Sequence, residues 1–235
     1  DKLNILANKK FLISTIIILI LIHVDPGILL NNIKFSFYEK NFILNNYKVF
    51  FSVFCFLVFL NAFNMFDGIN LQSSSYSIFI FFCISIFFID TLLVKILLIS
   101  LISFSYLNYK NKAFLGDSGS LLIAFIISYV FIKLYNLGFI DHADKVVIYM
   151  LIPGLDLMRL FIIRILKKRN PLSPDKLHLH RILISRFSQN KSLSIILSIV
   201  SLPVILDYFE MNNFFSIIIT IILYFSLLIA FKINK

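Results

Sequence analysis

Val49–Phe66, VFFSVFCFLVFLNAFNMF, runs for eighteen residues without a charge and ends in two carboxamides, Asn61 and Asn64. A stretch of that length and character suits a helix that crosses a bilayer, which takes about 20 residues. Comparable runs occur at Phe11–Val24, Tyr76–Ile89, Leu92–Leu107, Ser118–Leu134, Val146–Leu166, Leu193–Leu206 and Phe214–Phe231. The shorter ones are extended by flanking Asn, Ser and Tyr, and by Lys side chains that reach the interface. The reading is an all-α, polytopic transmembrane helix bundle of about eight spans, forming one integral-membrane domain over residues 1–235.

Composition agrees. Of 235 residues, 60% are apolar and 14% charged, and the mean hydropathy is +0.93. An ordinary soluble domain is roughly 45–50% apolar and about 25% charged. Soluble, disordered, collagenous and disulfide-scaffold classes are therefore excluded. Cys55 and Cys83 lie inside apolar runs and suggest neither a disulfide nor a metal site. The net charge of +10 is assigned to cytoplasmic loops rather than to nucleic-acid binding. With the N-terminal segment inside and the spans alternating, sixteen Lys and Arg fall on the inner side and six on the outer. That split predicts an N-in, C-in topology. Five acids, Asp1, Asp67, Asp117, Asp156 and Asp175, fall at inner helix ends or turns. Acids near a bilayer are expensive, and five on one basic face predict an active site.

Three constellations carry the chemistry. In NAFNMFDGIN, Asn61, Asn64 and Asp67 recur every three residues and share a helix face, with Gly68 and Asn70 following. Such an oxygen-rich helix end suits a hard cation or a ribose hydroxyl, and also a plain polar cap. In FLGDSGS, Phe114–Ser120, Gly116 and Gly119 permit close backbone approach, and a helix N-terminus offers N–H groups to phosphate. Asp117 there can hold Mg²⁺, although Asp-Ser-Gly-Ser is also an ordinary N-cap. PGLDLMRLFIIRILKKRNPLSPDKLHLHR, Pro153–Arg181, sets Asp156, Arg159 and Arg164 before a basic loop with Asp175, His178 and His180. That mixture suits neutralisation of a diphosphate, or a solvated positive loop with incidental histidines.

Together the three resemble the polyprenyl-phosphate N-acetylhexosamine-1-phosphate transferase superfamily (WecA/MraY-like, glycosyltransferase family 4). NAFNMFDGIN is similar to its N-x-x-N-x-x-D-G-x-D segment, FLGDSGSLL to F-x-G-D-x-G-S-L, and DKLHLHR to D-x-x-H-x-H-H. The resemblance runs from Asp1 to about Arg181. Asp1-Lys-Leu-Asn4 is similar to the family's D-D-x-x-D stretch cut after its first Asp, so the chain reads as a fragment without the first Asp and at least two upstream helices. Asn70 stands where the family has a second Asp, and Arg181 where it has a last His.

The resemblance implies a bacterial inner-membrane enzyme with its site on the cytoplasmic face. It would transfer HexNAc-1-phosphate from a UDP-amino sugar to undecaprenyl phosphate, releasing UMP, for cell-envelope polysaccharide or another lipid-linked glycan. It implies Mg²⁺, with Mn²⁺ as a substitute, on Asp117. Asp67 and Asn64, with Asn61, Gly116 and Arg164, would line the substrate pocket, and Phe114 would stack on uracil while Asn70 bonds it. His178 and His180 would contact the diphosphate, and Asp1 would lie near the attacking lipid phosphate. The DKLHLHR loop is closer to the WecA-type branch, which favours UDP-GlcNAc or a related amino sugar. A homodimer is compatible with all of this. The competing readings are an inactive fragment or non-catalytic relative, and a transporter.

Overall fold

The computed structural model describes residues 7–171 and 177–231. Among these residues nine α-helices follow one another: α1 Ala7–Val24, α2 Lys48–Phe66, α3 Gln72–Phe87, α4 Leu92–Tyr109, α5 Gly116–Asn136, α6 Ala143–Leu166, α7 Leu179–Ile184, α8 Gln189–Tyr208 and α9 Asn213–Ala230. Each of the eight apolar runs lies largely within its own helix. Six helices are long and apolar enough to cross a membrane: α2 with its preceding turn, α4, α5, α6, α8 and α9. At 16 residues α3 measures about 24 Å, less than a hydrocarbon core of about 30 Å. The protein is a multi-pass helical membrane protein.

α2 is the centre of the bundle and packs along α5 and α6, and α1 also lies against it. Phe56, Leu60 and Phe63 of α2 share one buried core with Ala124, Ile127 and Phe131 of α5, and the Phe56 and Phe125 rings lie 5.6 Å apart. On the periphery Phe50, Leu92 and Ile229 stand exposed, as side chains facing lipid do.

The helix ends sort into two layers. At one end α1 and α5 are joined by the ion pair of Lys10 with Asp117, and α2 and α5 by Ser120 and Asn64. At the other, Lys133 pairs with Asp25 (2.7 Å), Lys145 with Asp207 (3.3 Å), and Ser36 with Asp144. Lys95 pairs with Asp90 (2.8 Å) in the turn between α3 and α4. Asp25 is held below the usual carboxylate range by its bonds from Lys133 and Tyr129, and Asp90 by Lys95 and Ser85. These cross-helix bonds fit the alternation of spans inferred from the charges.

Two local features bear on the site. Pro153 interrupts α6 and removes the N–H that would bond the Tyr149 carbonyl. The Tyr76 hydroxyl of α3 donates to that carbonyl instead, at 2.7 Å. The α1–α2 connection contains an antiparallel hairpin, β1 Asn32–Phe35 with β2 Tyr38–Ile43, in which Ile33 faces Phe42. It is a small addition to an otherwise all-α fold.

Candidate functional site

The last turns of α2 carry the first constellation. Asn61 donates back to the Leu57 carbonyl at 2.7 Å, and Asn64 accepts from the Ser120 hydroxyl at 2.5 Å. Asp67 closes the helix, its N–H bonded to the Phe63 carbonyl. The chain then turns sharply into α3, with Leu71 in the left-handed region (φ +70°). The Leu71 N–H bonds Oδ1 of Asn108 (2.7 Å), whose amide donates to the Ala113 carbonyl (2.8 Å). Asn108, buried at the end of α4, thus ties the α2–α3 turn to the α4–α5 loop. Sequence reading missed it. Its signal was a lone carboxamide at the end of an apolar run.

The α4–α5 loop brings in the second constellation. Gly116 begins α5 with φ +62°, a conformation that side chains rarely adopt. Asp117 in the first turn pairs with Lys10, and Ser120 bridges the Asp117 carbonyl (3.1 Å) to Asn64. Asp67, Asn70, Phe114 and Gly116 line one polar cavity of about 160 Å³. Lys10, Asn61 and Asn64 line a second, of about 110 Å³. Phe114 is 70% exposed at the rim, leaving its ring face accessible. Asn70 donates to Oδ1 of Asn111 at 2.5 Å.

Burial pushes the Asp67 carboxyl up, and the Asp117 charge pushes it further, against a lowering contribution from the Ser73 hydroxyl. Two carboxylates close enough to repel, with one lysine beside them, form a corner suited to a hard divalent cation. Among the described residues no three of His, Cys, Asp and Glu gather around one point. An ion there would draw its remaining ligands from water and substrate oxygens, as Mg²⁺ commonly does.

The two histidines of the third constellation are buried, while residues 167–170, just after α6, are exposed. His178 and His180 are 8% and 5% exposed. The two rings stack at 5.3 Å with 13° between planes. His180 lies against Gly68, directly beside Asp67. Burial, with the neighbouring His178 next, lowers the His180 pKa to about 4, so the ring is neutral at pH 7. His178 is anchored at Asp156, ten residues before the end of α6, through Nδ1 and Oδ2 at 3.0 Å. Oδ1 of Asp156 accepts from Arg159 (2.7 Å), from the Tyr224 hydroxyl of α9 (2.7 Å) and from the Leu179 N–H (3.2 Å). Nothing in the sequence marked Tyr224.

Asp67, Asn70, Phe114 and Gly116 therefore share one cavity, with Asn64 and Asp117 joined through Ser120, His180 packed against Gly68 and His178 stacked on His180. Arg164 lies apart: it is buried, and its guanidinium donates to the Pro171 carbonyl at 2.6 Å. It is not among the residues that line either cavity. Asp1, Asn4 and Asp175 lie outside the described residues.

The chain is 29% identical over 151 residues to the undecaprenyl-phosphate alpha-N-acetylglucosaminyl 1-phosphate transferase of Thermotoga maritima, covering 63% of this chain and 47% of that protein. It is 25% identical over 167 residues to the protein of the same name from Escherichia coli K12, covering 66% and 46%. With that of Salmonella typhimurium it shares 22% over 196 residues, covering 78% and 53%. The chain spans about half the length of these relatives. No solved structure matches it at a significant level. The family model for glycosyl transferase family 4 matches residues 1–135, which hold the first two constellations and the cavity between them, and the chain belongs to that family.

Proposed function

We propose that the protein transfers an N-acetylhexosamine 1-phosphate from a UDP-amino sugar, UDP-GlcNAc or a close relative, to undecaprenyl phosphate at the cytoplasmic face of a bacterial inner membrane. The observation that carries this is convergence. Residues 61–70, 114–120 and 178–180 meet at one end of the bundle around two carboxylates. The names of the relatives support the same reaction.

The chemistry follows from that arrangement. A phosphate oxygen of the lipid attacks the β-phosphorus of the UDP-sugar, and the bond from that phosphorus to the α–β bridging oxygen breaks, so UMP leaves. Joining two anions requires positive charge at the reacting phosphates. Asp117, with Asp67, would hold Mg²⁺, which when bound screens the diphosphate and stabilises charge on the leaving oxygen; Mn²⁺ would serve as well. Lys10 supplies a further cation beside Asp117. Phe114 offers a ring for the uracil, and Asn70 a carboxamide at the same cavity. His178 and His180 face the diphosphate, and the neutral ring of His180 can donate to a phosphate oxygen without holding the product by charge. A lipid phosphate monoester, with its second pKa near 6, is already mostly ionised at pH 7, so direct attack needs no strong base.

The test is UMP release by the full-length protein in nanodiscs supplied with UDP-GlcNAc and undecaprenyl phosphate. Release that needs both substrates and stops on chelation supports the reading. Absence of release with every UDP-amino sugar tried, from protein that is folded, overturns it.

A further inference from the structure

We propose that Asp156 and Tyr224 are positioning residues for the transfer proposed above: they fix His178 as the Nδ1–H tautomer and so set the stacked His178–His180 pair against Gly68. The inference rests on that reading of function for its role in turnover, and on geometry alone for the tautomer.

Three separate elements converge on one carboxylate in the interior of the bundle. Asp156 lies within α6, Tyr224 lies eleven residues into α9, and His178 and Leu179 open α7. A buried carboxylate is tolerated only when its oxygens are satisfied. Arg159 and Tyr224 already satisfy Oδ1, and the Tyr224 hydroxyl is itself fixed by accepting from Nε of Arg159 at 2.9 Å. A third bond from the same guanidinium, to the Leu177 carbonyl at 2.6 Å, draws in the residue before His178. Oδ2 is left directed at His178. A carboxylate paired with a guanidinium accepts and does not donate, so the imidazole proton must be on Nδ1. The stack then transmits the orientation: His178 sets the plane of His180, and His180 fills the space over Gly68 next to Asp67.

A purely structural ion pair between Asp156 and Arg159 predicts no particular tautomer. That difference is measurable without turnover. Histidine-selective ¹³C/¹⁵N labelling of the full-length protein in nanodiscs reports the rings of His23, His142, His178 and His180, each assigned by single substitution. The expected result at pH 7.5 is His178 as Nδ1–H in the unsubstituted protein, and loss of that preference in Asp156→Asn. In the UMP-release assay Asp156→Asn should lower kcat about 10- to 100-fold with KM for the UDP-sugar nearly unchanged, the scale typical of lost orienting partners. Asp156→Glu should recover part of the loss. Tyr224→Phe, which keeps the ring and removes one hydroxyl, should lower kcat several-fold, and it remains informative if Asp156→Asn does not fold. The proposal is overturned if His178 is Nε2–H in the unsubstituted protein. It is equally overturned if folded Asp156→Asn or Tyr224→Phe turns over at the normal rate. Absence of UMP release from the unsubstituted protein, with His178 as Nδ1–H, overturns the transferase reading and the role in turnover while the geometry stands.

Discussion

The ring of His180 rests on Gly68, occupying the volume that any side chain at position 68 would need. A Cβ there would overlap Cε1, Nε2 and Nδ1 of the ring. Because His180 is buried and stacked on His178, moving the ring aside would disturb that stack. Gly68→Ala should therefore cost about 1–3 kcal/mol, the usual range for overpacking. It should also displace the histidine pair from Asp67. The expected outcome is folded protein with a lowered thermal midpoint and UMP release reduced far more than stability alone explains. Normal turnover in this variant would mean that the contact is not part of the site.

The same histidine makes stability depend on pH in a defined direction. Its pKa falls from 6.5 to about 4 on folding, so the unfolded chain binds more protons than the folded one between those values. The contribution is complete above about pH 6.5 and is lost progressively as pH falls towards 4. It amounts to a few kcal/mol at most, at about 1.4 kcal/mol per pH unit. Thermal unfolding in detergent should show the midpoint dropping between pH 7 and 5. In His180→Gln, which cannot protonate, that part of the slope should disappear; an unchanged slope would show that another group carries it.

Much of the architecture was legible in the sequence because a bilayer leaves few options. Uncharged runs such as Val49–Phe66 can only be helices there, and acids such as Asp67 and Asp117 survive near it only with a purpose. Periodicity of three put Asn61, Asn64 and Asp67 on one face, and the structure keeps them at one helix end. What was not legible depends on tertiary return of the chain. The histidines after α6 suited either a diphosphate or a solvated loop, and no signal in the sequence showed that His178 bonds Asp156 inside the bundle. Tyr224 looks like any aromatic in an apolar helix, and only its hydroxyl partners distinguish it. The hairpin at Asn32–Ile43 was passed over because its alternation is short and lies between two much stronger helical signals.

Sidedness follows from the charge split and can be checked directly. With Cys55 and Cys83 replaced, a cysteine at Arg169, exposed after α6, should label only from the cytoplasmic side. One at Asp141, exposed between α5 and α6, should label only from outside. Reversed labelling would put the Asp67–Asp117 corner on the wrong side for cytosolic nucleotide sugars.

Asp117→Asn separates charge from fold. The Lys10–Asp117 pair is part-exposed, 30% and 42% by side chain, so losing it should change stability by no more than about 1 kcal/mol. If the carboxylate holds Mg²⁺, turnover should fall by about 100-fold or more while the protein inserts and unfolds almost as before. A partial return of activity at high Mg²⁺ would agree with a weakened ligand. Near-normal turnover at ordinary Mg²⁺ would show that Asp117 is not one.

Asn70 offers the finest test, because it departs from the related motif inside the cavity that also holds Asp67 and Phe114. Its amide donates to Asn111, and that contact can survive Asn70→Asp: the Asn111 carboxamide need only rotate to present its NH₂ to the new carboxylate. The base-facing side changes more. A carboxamide oxygen accepts from the uracil N3–H as a neutral partner, whereas a carboxylate makes a charge-assisted bond of roughly twice the strength. The difference is about 1 kcal/mol, within the range of one hydrogen bond, and corresponds to several-fold in affinity. The contact lies away from the reacting phosphorus, so it should act on the ground state and the transition state alike. Asn70→Asp is therefore expected to lower KM for the UDP-sugar several-fold with kcat nearly unchanged. A large fall in kcat with KM unmoved would place Asn70 at the reaction centre, and the cavity would then hold the diphosphate rather than the base.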